Sequence, residues 1–361
     1  MKKQGQTSSP RKVALALQGG GSHGAYTWGV LDELLQHPDI TIDTVSGTSA
    51  GAMNAVVLAN GLLRGGPAEG RRALRQFWES VGSIPGLAAM TAHIGKPWHL
   101  DNSPAYLWFD MMSRLWSPYD LNPLGYHPLR GLLKDTIDFA ELDRAQELRV
   151  YLCATNVRTG RRRVFDNKEL SIDVVLASAC LPFVFPAVEI EGESYWDGGY
   201  TGNPAIAPII RDERVSDIIL VGINPLERDE VPRHARDIIN RVNEISFNST
   251  VWTELAAIGL LLRFIDEGAL NLRRQAPHFH AIEGGNDLGP LGASSKMNND
   301  PAFISYLFDL GSRAGKDWLA GNAAAIGQRS TVDLEELLPV DLKKSSAEGD
   351  LPVFAAASGK V

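Results

Sequence analysis

The sequence predicts an α/β fold in which a mainly parallel central sheet is flanked by helices. Short apolar strands alternate with helical runs along the first 60 residues, and such alternation is typical of parallel sheets covered by helices. The first two strands also run directly into glycine-rich turns, at 18–24 and 46–51. Because parallel strands end at the same edge of a sheet, we expect these two turns to be neighbours.

Each element follows from its local pattern of apolar, β-branched and turn-forming residues. In chain order we predict a strand at 13–17, a helix at 25–36, a strand at 40–45, helices at 50–60, 71–81 and 129–142, strands at 148–155 and 161–166, a helix at 171–179, a hairpin at 188–196, a strand at 217–224, helical runs at 233–273 and 301–325, and a strand at 278–282 between those two runs.

No internal repeat and no clean linker are visible, so we expect one domain over residues 11–335. Residues 1–10 are polar and predict a flexible N-terminal tail. Residues 343–361 are rich in Ser, Ala, Gly and charge, which predicts a disordered tail.

Residues 84–130 differ from the rest because prolines, tryptophans and tyrosines are concentrated there. One interpretation is a helical subdomain with its own aromatic core. The other is an insertion that forms a lid or an acyl-chain pocket beside the site. The sequence leaves both open.

Composition narrows the class of protein. The chain has 361 residues, 44 % of them hydrophobic and 22 % charged, with a net charge of −8; this balance is that of a globular protein and disfavours nucleic acid as a partner. Cys153 and Cys180 lie in apolar runs and predict buried free thiols. No metal-ligand spacing of Cys or His is present, so we expect neither a metal nor another cofactor.

The ends and the hydropathy predict a cytoplasmic protein that is at most peripheral to a membrane. Met1–Pro10 has no apolar core of a secretory signal, and no run of 18 apolar residues is present. Transient contact with a membrane surface is compatible with this composition. Nothing in the sequence determines the oligomeric state.

The turn Gly47-x-Ser49-x-Gly51 joins a predicted strand to a predicted helix. In so sharp a turn the central side chain points out of the sheet, and flanking glycines let the backbones pass closely. Ser49 would lie at a helix N-terminus, where free N–H groups favour developing negative charge. The sequence therefore predicts a nucleophile; the alternative is a glycine-rich turn with a helix-capping serine.

The loop Gly19–Gly24 follows the first strand and allows three interpretations. Its glycines could present backbone N–H groups to an oxyanion formed at Ser49. The same spacing fits the dinucleotide fingerprint, which requires an acidic residue at the end of the second strand. Here Asp43 lies inside that strand and the serine turn occupies its end, which favours the oxyanion interpretation over a phosphate cradle or a plain turn.

A serine nucleophile needs a base, and two sets of residues could supply it. The stretch 197–199 is Asp-Gly-Gly at the end of a predicted hairpin, which by itself is a common turn. His278 and His280 follow Ser49 in the order expected of an α/β-hydrolase triad. The position of Ser49 argues against that triad, because several strands precede the nucleophile in an α/β-hydrolase, whereas only two predicted strands precede Ser49.

The three motifs together resemble those of the patatin-like phospholipases. They are Gly19-Gly20-Gly21-x-x-Gly24, Gly47-Thr48-Ser49-Ala50-Gly51 and Asp197-Gly198-Gly199. The resemblance spans about 11–210, and the stretches Ala177–Pro182 and Ser246–Asn248 also resemble that family.

The resemblance implies a three-layer α/β/α fold and metal-free hydrolysis of acyl esters, usually of lipids, by a Ser–Asp dyad without histidine. By residue match, Ser49 would be the nucleophile and Asp197 its partner. Gly19, Gly20 and Gly21 would form the oxyanion loop, with Gly24, Gly47, Gly51, Gly198 and Gly199 supporting the motifs.

One departure from the family concerns His23, because that position is often Arg or Lys there. A neutral histidine provides less positive field near the oxyanion, which puts contact with a lipid headgroup, or the rate, in doubt. A dyad is also demanding, since a carboxylate with a pKa of about 3.9 is a poor base unless its site is desolvated.

Three other functions stay open. They are a nucleotide-binding oxidoreductase that uses the Gly19–Gly24 loop, a hydrolase with a true triad, and a lipid-binding protein without turnover. For the hydrolase, a polyester of hydroxy acids is an alternative to a lipid substrate.

Overall fold

One eight-stranded sheet forms the centre of the molecule. The computed structural model describes residues 10–84, 98–100, 103–212, 214–225, 231–268 and 276–337. Residues 1–9 of the predicted N-terminal tail and all of the predicted C-terminal tail, 343–361, lie outside the described residues. Residues 85–97 and 101–102 of the aromatic stretch also lie outside them.

The strands follow the order β5-β6-β3-β2-β1-β7-β8, with β4 paired to β3. Neighbouring pairs among β1, β2, β3, β7 and β8 are parallel, whereas β4, β5 and β6 pair antiparallel. The prediction of a mainly parallel central sheet is confirmed. The strands are β1 Arg11–Leu17, β2 Ile40–Gly47, β3 Arg149–Asn156, β4 Arg162–Phe165, β5 Val188–Ile190, β6 Glu193–Asp197, β7 Asp217–Gly222 and β8 His278–Glu283.

Helices connect the strands and cover the sheet. They are α1 Gly24–Leu34, α2 Ala50–Gly82, α3 Pro104–Leu115, α4 Pro118–Leu121, α5 Leu129–Thr136, α6 Phe139–Arg144, α7 Ile172–Ser178, α8 Ala207–Ile210, α9 Ala235–Asp266, α10 Gly285–Leu288 and α11 Pro301–Asn322.

The alternating side chains of β1 divide the core into two layers. Leu15 packs in a large cluster with residues of α1, α2, α7 and α11 on one face of the sheet. Ala14 packs in a smaller cluster with residues of α8 and α9 on the other face. Because successive strand residues point to opposite faces, the sheet lies between two helical layers.

Two predicted helices have different bounds for local reasons. The predicted helices at 50–60 and 71–81 are one element, α2, which is interrupted where Gly65 and Gly66 leave helical geometry just before Pro67. The predicted helix at 129–142 is divided into α5 and α6, because the Asp138 side chain accepts hydrogen bonds from the first amides of α6.

The described part of the aromatic stretch does not form a core of its own. Trp98 stacks on Phe303 and Tyr306 of α11, with ring centroids 5.3 and 5.8 Å apart. The large apolar side chains of α3 and α4 instead include many that are exposed, such as Trp108 and Leu115. The lid remains a prediction.

Among the described residues, α9 is the one helix that is long and apolar enough to cross a membrane. By length and composition alone, Asp237–Ile265 could cross a membrane, with a mean hydropathy of 1.3. In this fold Val251 and Leu255 are buried against the sheet, and α9 therefore forms part of a helical layer.

Candidate active site

The serine turn is a tight elbow between β2 and α2. Ser49 has φ 57° and ψ −122°, a conformation that is costly for a residue with a Cβ and is typical of functional sites. A Cβ on Gly47 would collide with the Gly51 carbonyl, and one on Gly51 would collide with the Leu17 carbonyl. Both glycines are therefore required for the chain to turn here.

Asp197 ends β6 and is completely buried. Its Oδ1 accepts a hydrogen bond of 2.7 Å from the Gly199 amide. Burial raises the pKa of Asp197 to about 7, and hydrogen bonds from Gly199 and the Ser49 side chain oppose that rise.

The contact between Ser49 and Asp197 falls short of a well-formed hydrogen bond. Within the described residues, Oδ2 of Asp197 has no partner that satisfies ordinary distance and angle limits. The Ser49 hydroxyl is nevertheless near enough to lower the pKa of the carboxyl. Such loose geometry is common in active sites without substrate, where the bond tightens only on binding.

The Asp-Gly-Gly stretch is held by contacts that an isolated turn would lack. The Asp197 amide donates to the Cys180 carbonyl at 2.8 Å, and Thr155 Oγ1 donates to the Asp197 carbonyl at 2.8 Å. A Cβ on Gly198 would collide with the Cys153 carbonyl, and one on Gly199 would collide with the Phe247 ring.

The glycine loop lies directly against the elbow, as the topology predicts. A Cβ on Gly19 would lie 2.5 Å from the Thr48 carbonyl oxygen and 2.6 Å from Ser49 Cβ. The next helix also approaches closely, since a Cβ on Gly24 would lie 2.7 Å from the Ala50 Cβ.

The three loop glycines are not equivalent. The Gly19 amide already donates to Asn203 Oδ1 at 2.7 Å. The amides of Gly20 and Gly21 donate to no group in the described part of the chain, and the same holds for Ala50 at the start of α2. Those three amides are therefore available to donate to a bound group.

A polar network holds the carbonyl side of the loop. Gln18 Oε1 accepts hydrogen bonds of 2.8 and 2.9 Å from the amides of Ile223 and Asn224. Asn224 Nδ2 donates to the Gly19 carbonyl at 2.9 Å, and Lys296 Nζ donates to Asn224 Oδ1 at 2.6 Å. Sequence reasoning missed Asn203, Asn224 and Lys296, because no spacing or motif connects them to the loop.

His23 is buried and points toward Ser295, with 2.7 Å between Nε2 and Ser295 Oγ. Burial, and secondarily the charge of Lys296, lower the pKa of His23 well below its usual value. His23 is therefore neutral at physiological pH. The positive charge near this loop comes from Lys296, so the loss of charge at position 23 is offset in part.

Neither candidate histidine of the triad reaches the elbow. His280 Nε2 lies 3.0 Å from Oδ1 of Asp217, the first residue of β7, and its Nδ1 lies 3.0 Å from Thr331 Oγ1. His278 is the first residue of β8. Both belong to the opposite end of the parallel strands from Ser49, so the structure contradicts a triad built on them.

Ser178 is a further residue of the site, and it lies in a stretch that the sequence analysis singles out. The Ser49 amide donates to Ser178 Oγ at 3.0 Å, which anchors the elbow to the end of α7. Ser178 lies within Ala177–Pro182, a stretch whose resemblance to the family was visible without structure. Its role in holding Ser49 was not.

Comparison with known proteins identifies the family to which the chain belongs. A family model described as patatin-like phospholipase matches residues 15–210, more than half of the chain. The chain belongs to the patatin-like phospholipase family.

Two relatives extend the comparison at modest identity. A cGAMP-activated phospholipase of Pseudomonas aeruginosa is 29 % identical over 211 residues, which span 55 % of this chain and 55 % of that protein. The chain thus covers about half the length of that relative. The uncharacterized protein R571 of Acanthamoeba polyphaga mimivirus is 25 % identical over 249 residues, 65 % of this chain and 75 % of that one.

Solved structures with similarity to this chain include bacterial proteins of larger size. VipD from Legionella pneumophila is 16 % identical with a TM-score of 0.36, covering 84 % of this chain and 67 % of that one. The ExoU–SpcU heterodimer of the type III secretion system of Pseudomonas aeruginosa gives 18 % identity and a TM-score of 0.30, covering 96 % and 68 %.

Proposed function

We propose that this protein hydrolyses carboxylic ester bonds of lipids through a dyad of Ser49 and Asp197. The observation that carries the proposal is a serine at positive φ beside a buried carboxyl whose pKa is raised to about 7. A carboxylate with that pKa is a far better base at neutral pH than one with a pKa near 3.9. Burial thus supplies what the dyad requires.

The chemistry follows the geometry of the elbow. Asp197 takes the proton of Ser49 Oγ while that oxygen attacks the carbonyl carbon of the ester, and the carbonyl oxygen becomes an oxyanion. Asp197 then returns the proton to the departing alcohol. In the second half, Asp197 deprotonates a water that attacks the acyl-serine, which releases the acid and restores Ser49.

The oxyanion would be held by backbone amides rather than by a charged side chain. The amides of Gly20, Gly21 and Ala50 support this role, because they donate to no group in the described residues. The N-terminal end of α2 adds a favourable dipole. The sequence-based prediction also includes Gly19 in the oxyanion loop. Because its amide donates to Asn203 Oδ1, we propose for Gly19 a supporting role in that loop.

A fluorophosphonate probe and the Ser49→Ala variant test the proposal. We expect the probe to label the peptide that contains Ser49, and Ser49→Ala to abolish labelling and lower kcat/KM at least about 10³-fold. A melting curve verifies that the variant folds. Near-wild-type hydrolysis by the pure variant would reject the proposal.

The partner assignment is tested in the same series. Asp197→Asn removes the charge but keeps the size, and its loss should not add to that of Ser49→Ala, because the two residues act as one unit. Full additivity would leave Asp197 as a turn residue only.

Since one relative is a cGAMP-activated phospholipase, the assays are run with and without cGAMP, so that an inactive resting state is not mistaken for a missing activity.

The remaining alternatives have their own readouts. A nicotinamide cofactor that copurifies, or that shifts the melting temperature, would favour an oxidoreductase built on Gly19–Gly24. Binding to lipid vesicles without labelling by the phosphonate would favour a lipid-binding protein. Hydrolysis of a hydroxy-acid polyester in preference to phospholipid would redirect the substrate assignment.

A further inference from the structure

A set of large apolar side chains on α3, on α4 and in the turn that follows is exposed to solvent. Trp108 is 60 % exposed and Leu124 is 94 % exposed. We call this set the aromatic face; its members are Trp108, Met111, Leu115, Tyr119, Leu124 and Tyr126. A cluster of exposed apolar residues in one segment marks an interaction site more often than chance exposure does.

The periodicity of α3 shows that its exposed residues share one side of the helix. Trp108, Met111 and Leu115 recur at intervals of three and four residues, which places them on one stripe. These side chains are 60, 51 and 66 % exposed. A stripe of this kind in a globular helix normally faces a core, so here it calls for an external apolar partner.

None of the six members of the aromatic face is charged. Asp120, whose side chain is described and which lies next to Tyr119, is engaged in a capping box with Ser117. The tryptophan and tyrosine side chains combine an apolar body with a polar edge, as at the boundary between lipid acyl chains and headgroups. Electrostatic attraction to anionic lipid plays little part on such a surface.

The aromatic face is connected to the loop 180–187, which supports the backbone of Asp197. The hydroxyl of Tyr119 accepts a hydrogen bond of 3.2 Å from the Ala187 amide. Phe183 of the same loop is 69 % exposed. The loop begins at Cys180, whose carbonyl accepts the Asp197 amide. A partner bound to this face would therefore contact the loop that supports the backbone of Asp197.

We propose that the aromatic face, together with Phe183, docks the protein onto the acyl–headgroup boundary of a zwitterionic bilayer. This role rests on the proposed function, since a lipid ester hydrolase must reach substrate that is packed in a membrane. The uncharged composition of the face, its interfacial aromatics and its connection to the Asp197 loop favour a bilayer over other occupants.

The test is the partitioning of purified protein onto phosphatidylcholine vesicles, with the double variant Trp108→Ser, Leu124→Ser. We expect the partition coefficient to fall at least about tenfold, because two large apolar groups no longer leave water. Hydrolysis of vesicle lipid should fall in parallel. Hydrolysis of a soluble p-nitrophenyl butyrate should stay within about twofold of wild type, because the dyad is untouched.

A matched control replaces two exposed apolar residues outside the face. Val231 and Tyr306 are 82 and 36 % exposed, and the double variant Val231→Ser, Tyr306→Ser should partition as the wild type does. Wild-type partitioning by the Trp108/Leu124 variant, or an equal loss in the control, would overturn the proposal. So would light scattering that shows a wild-type dimer and a monomeric Trp108/Leu124 variant with unchanged vesicle binding, since the occupant would then be a second copy.

The failure of this proposal is distinguishable from that of the proposed function. Vesicle binding requires no turnover, so the Ser49→Ala variant should partition as the wild type does. A wild type that binds vesicles through this face but hydrolyses neither substrate would reject the esterase and retain the docking surface. Hydrolysis of the soluble ester with no vesicle binding would reject the docking surface alone.

Discussion

At the scale of single residues, the environment of Asp197 determines what the candidate site can do. Burial raises the pKa of this carboxyl more than the hydrogen bonds from Gly199 and Ser49 lower it. The carboxyl is therefore balanced between its charged and neutral forms near neutral pH. Only the charged form can accept the Ser49 proton.

Because Asp197 must be charged to act as the base, we expect kcat/KM to depend on pH. With a pKa of about 7 for Asp197, kcat/KM for a soluble ester should level off above that pH and fall about tenfold for each unit below it. The measurement is kcat/KM from pH 5 to 9, with a melting curve at each pH to exclude unfolding. A profile that stays flat down to pH 5 would show that the base titrates near an ordinary carboxyl pKa.

The sequence predicts the positions of Ser49 and Asp197 but not their surroundings. Each lies in a short motif, with glycines whose spacing can be read directly. The segment that carries Asp197 is held by the Cys180 carbonyl, and the Phe247 ring lies against Gly199; both residues come from other segments of the chain. The Gly19 amide donates to Asn203, which is 184 residues away. No local sequence pattern predicts these contacts, because their partners are distant in the chain.

At the scale of elements, the glycine loop and the elbow meet because β1 and β2 are parallel neighbours. From the sequence alone, substitution of either Gly20 or Gly21 is expected to damage an oxyanion loop. The structure distinguishes the two. Gly21 has φ 59° and lies against the Lys296 carbonyl, whereas Gly20 has φ 168°, which other residues adopt readily.

We therefore expect Gly21→Ala to be the more harmful change. Its Cβ is strained in the left-handed region and would displace the loop, which should lower kcat by about 10²-fold or more with a smaller change in KM. Gly20→Ala is the matched control, because its Cβ would meet side chains and no backbone atom: the end of Ile223 at 2.9 Å and Asn224 Oδ1 at 3.5 Å. Steady-state kinetics of both variants, with melting curves, make the comparison; equal losses would contradict it.

The sequence predicts the strands of the sheet well, but it does not predict which side chains of the aromatic stretch are exposed. The strands of the sheet were found within a few residues, because buried strands read as apolar, β-branched runs. The aromatic stretch was ambiguous, since a core, a lid and a docking face share one composition. The exposure of Trp108 and Leu124 depends on which neighbours cover α3 and α4, and that information is tertiary.

At the scale of the whole molecule, the site is assembled from both helical layers. α7 contributes Ser178 from the layer that contains α1 and α2. α9, from the other layer, contributes Asn248, whose Oδ1 accepts a 3.0 Å bond from Gln18 Nε2. The elbow, the loop and the carboxylate therefore keep their relative positions only while both layers are packed, which links the chemistry to global stability.

The buried carboxyl should lower global stability at the pH where it works. In the unfolded chain its pKa is about 3.9, whereas in the folded chain the pKa of Asp197 is about 7. Since the folded pKa is the higher one, the stabilising contribution of protonation is complete below about pH 4 and is lost as the pH rises through 7. A difference of about three units corresponds to at most ~4 kcal/mol at pH 8.

Asp197→Asn should therefore raise the melting temperature while it abolishes activity. The amide carries no charge at any pH, and its carbonyl oxygen can still accept the Gly199 amide. We expect a gain of roughly 2–6 °C at pH 8 that falls to about a third of that value at pH 5 and toward zero below about pH 4. Asp309→Asn, on an exposed position of α11, is the control for removing a surface carboxylate. A gain of equal size at both pH values would show that the effect comes from packing or hydrogen bonding and not from the titration of Asp197.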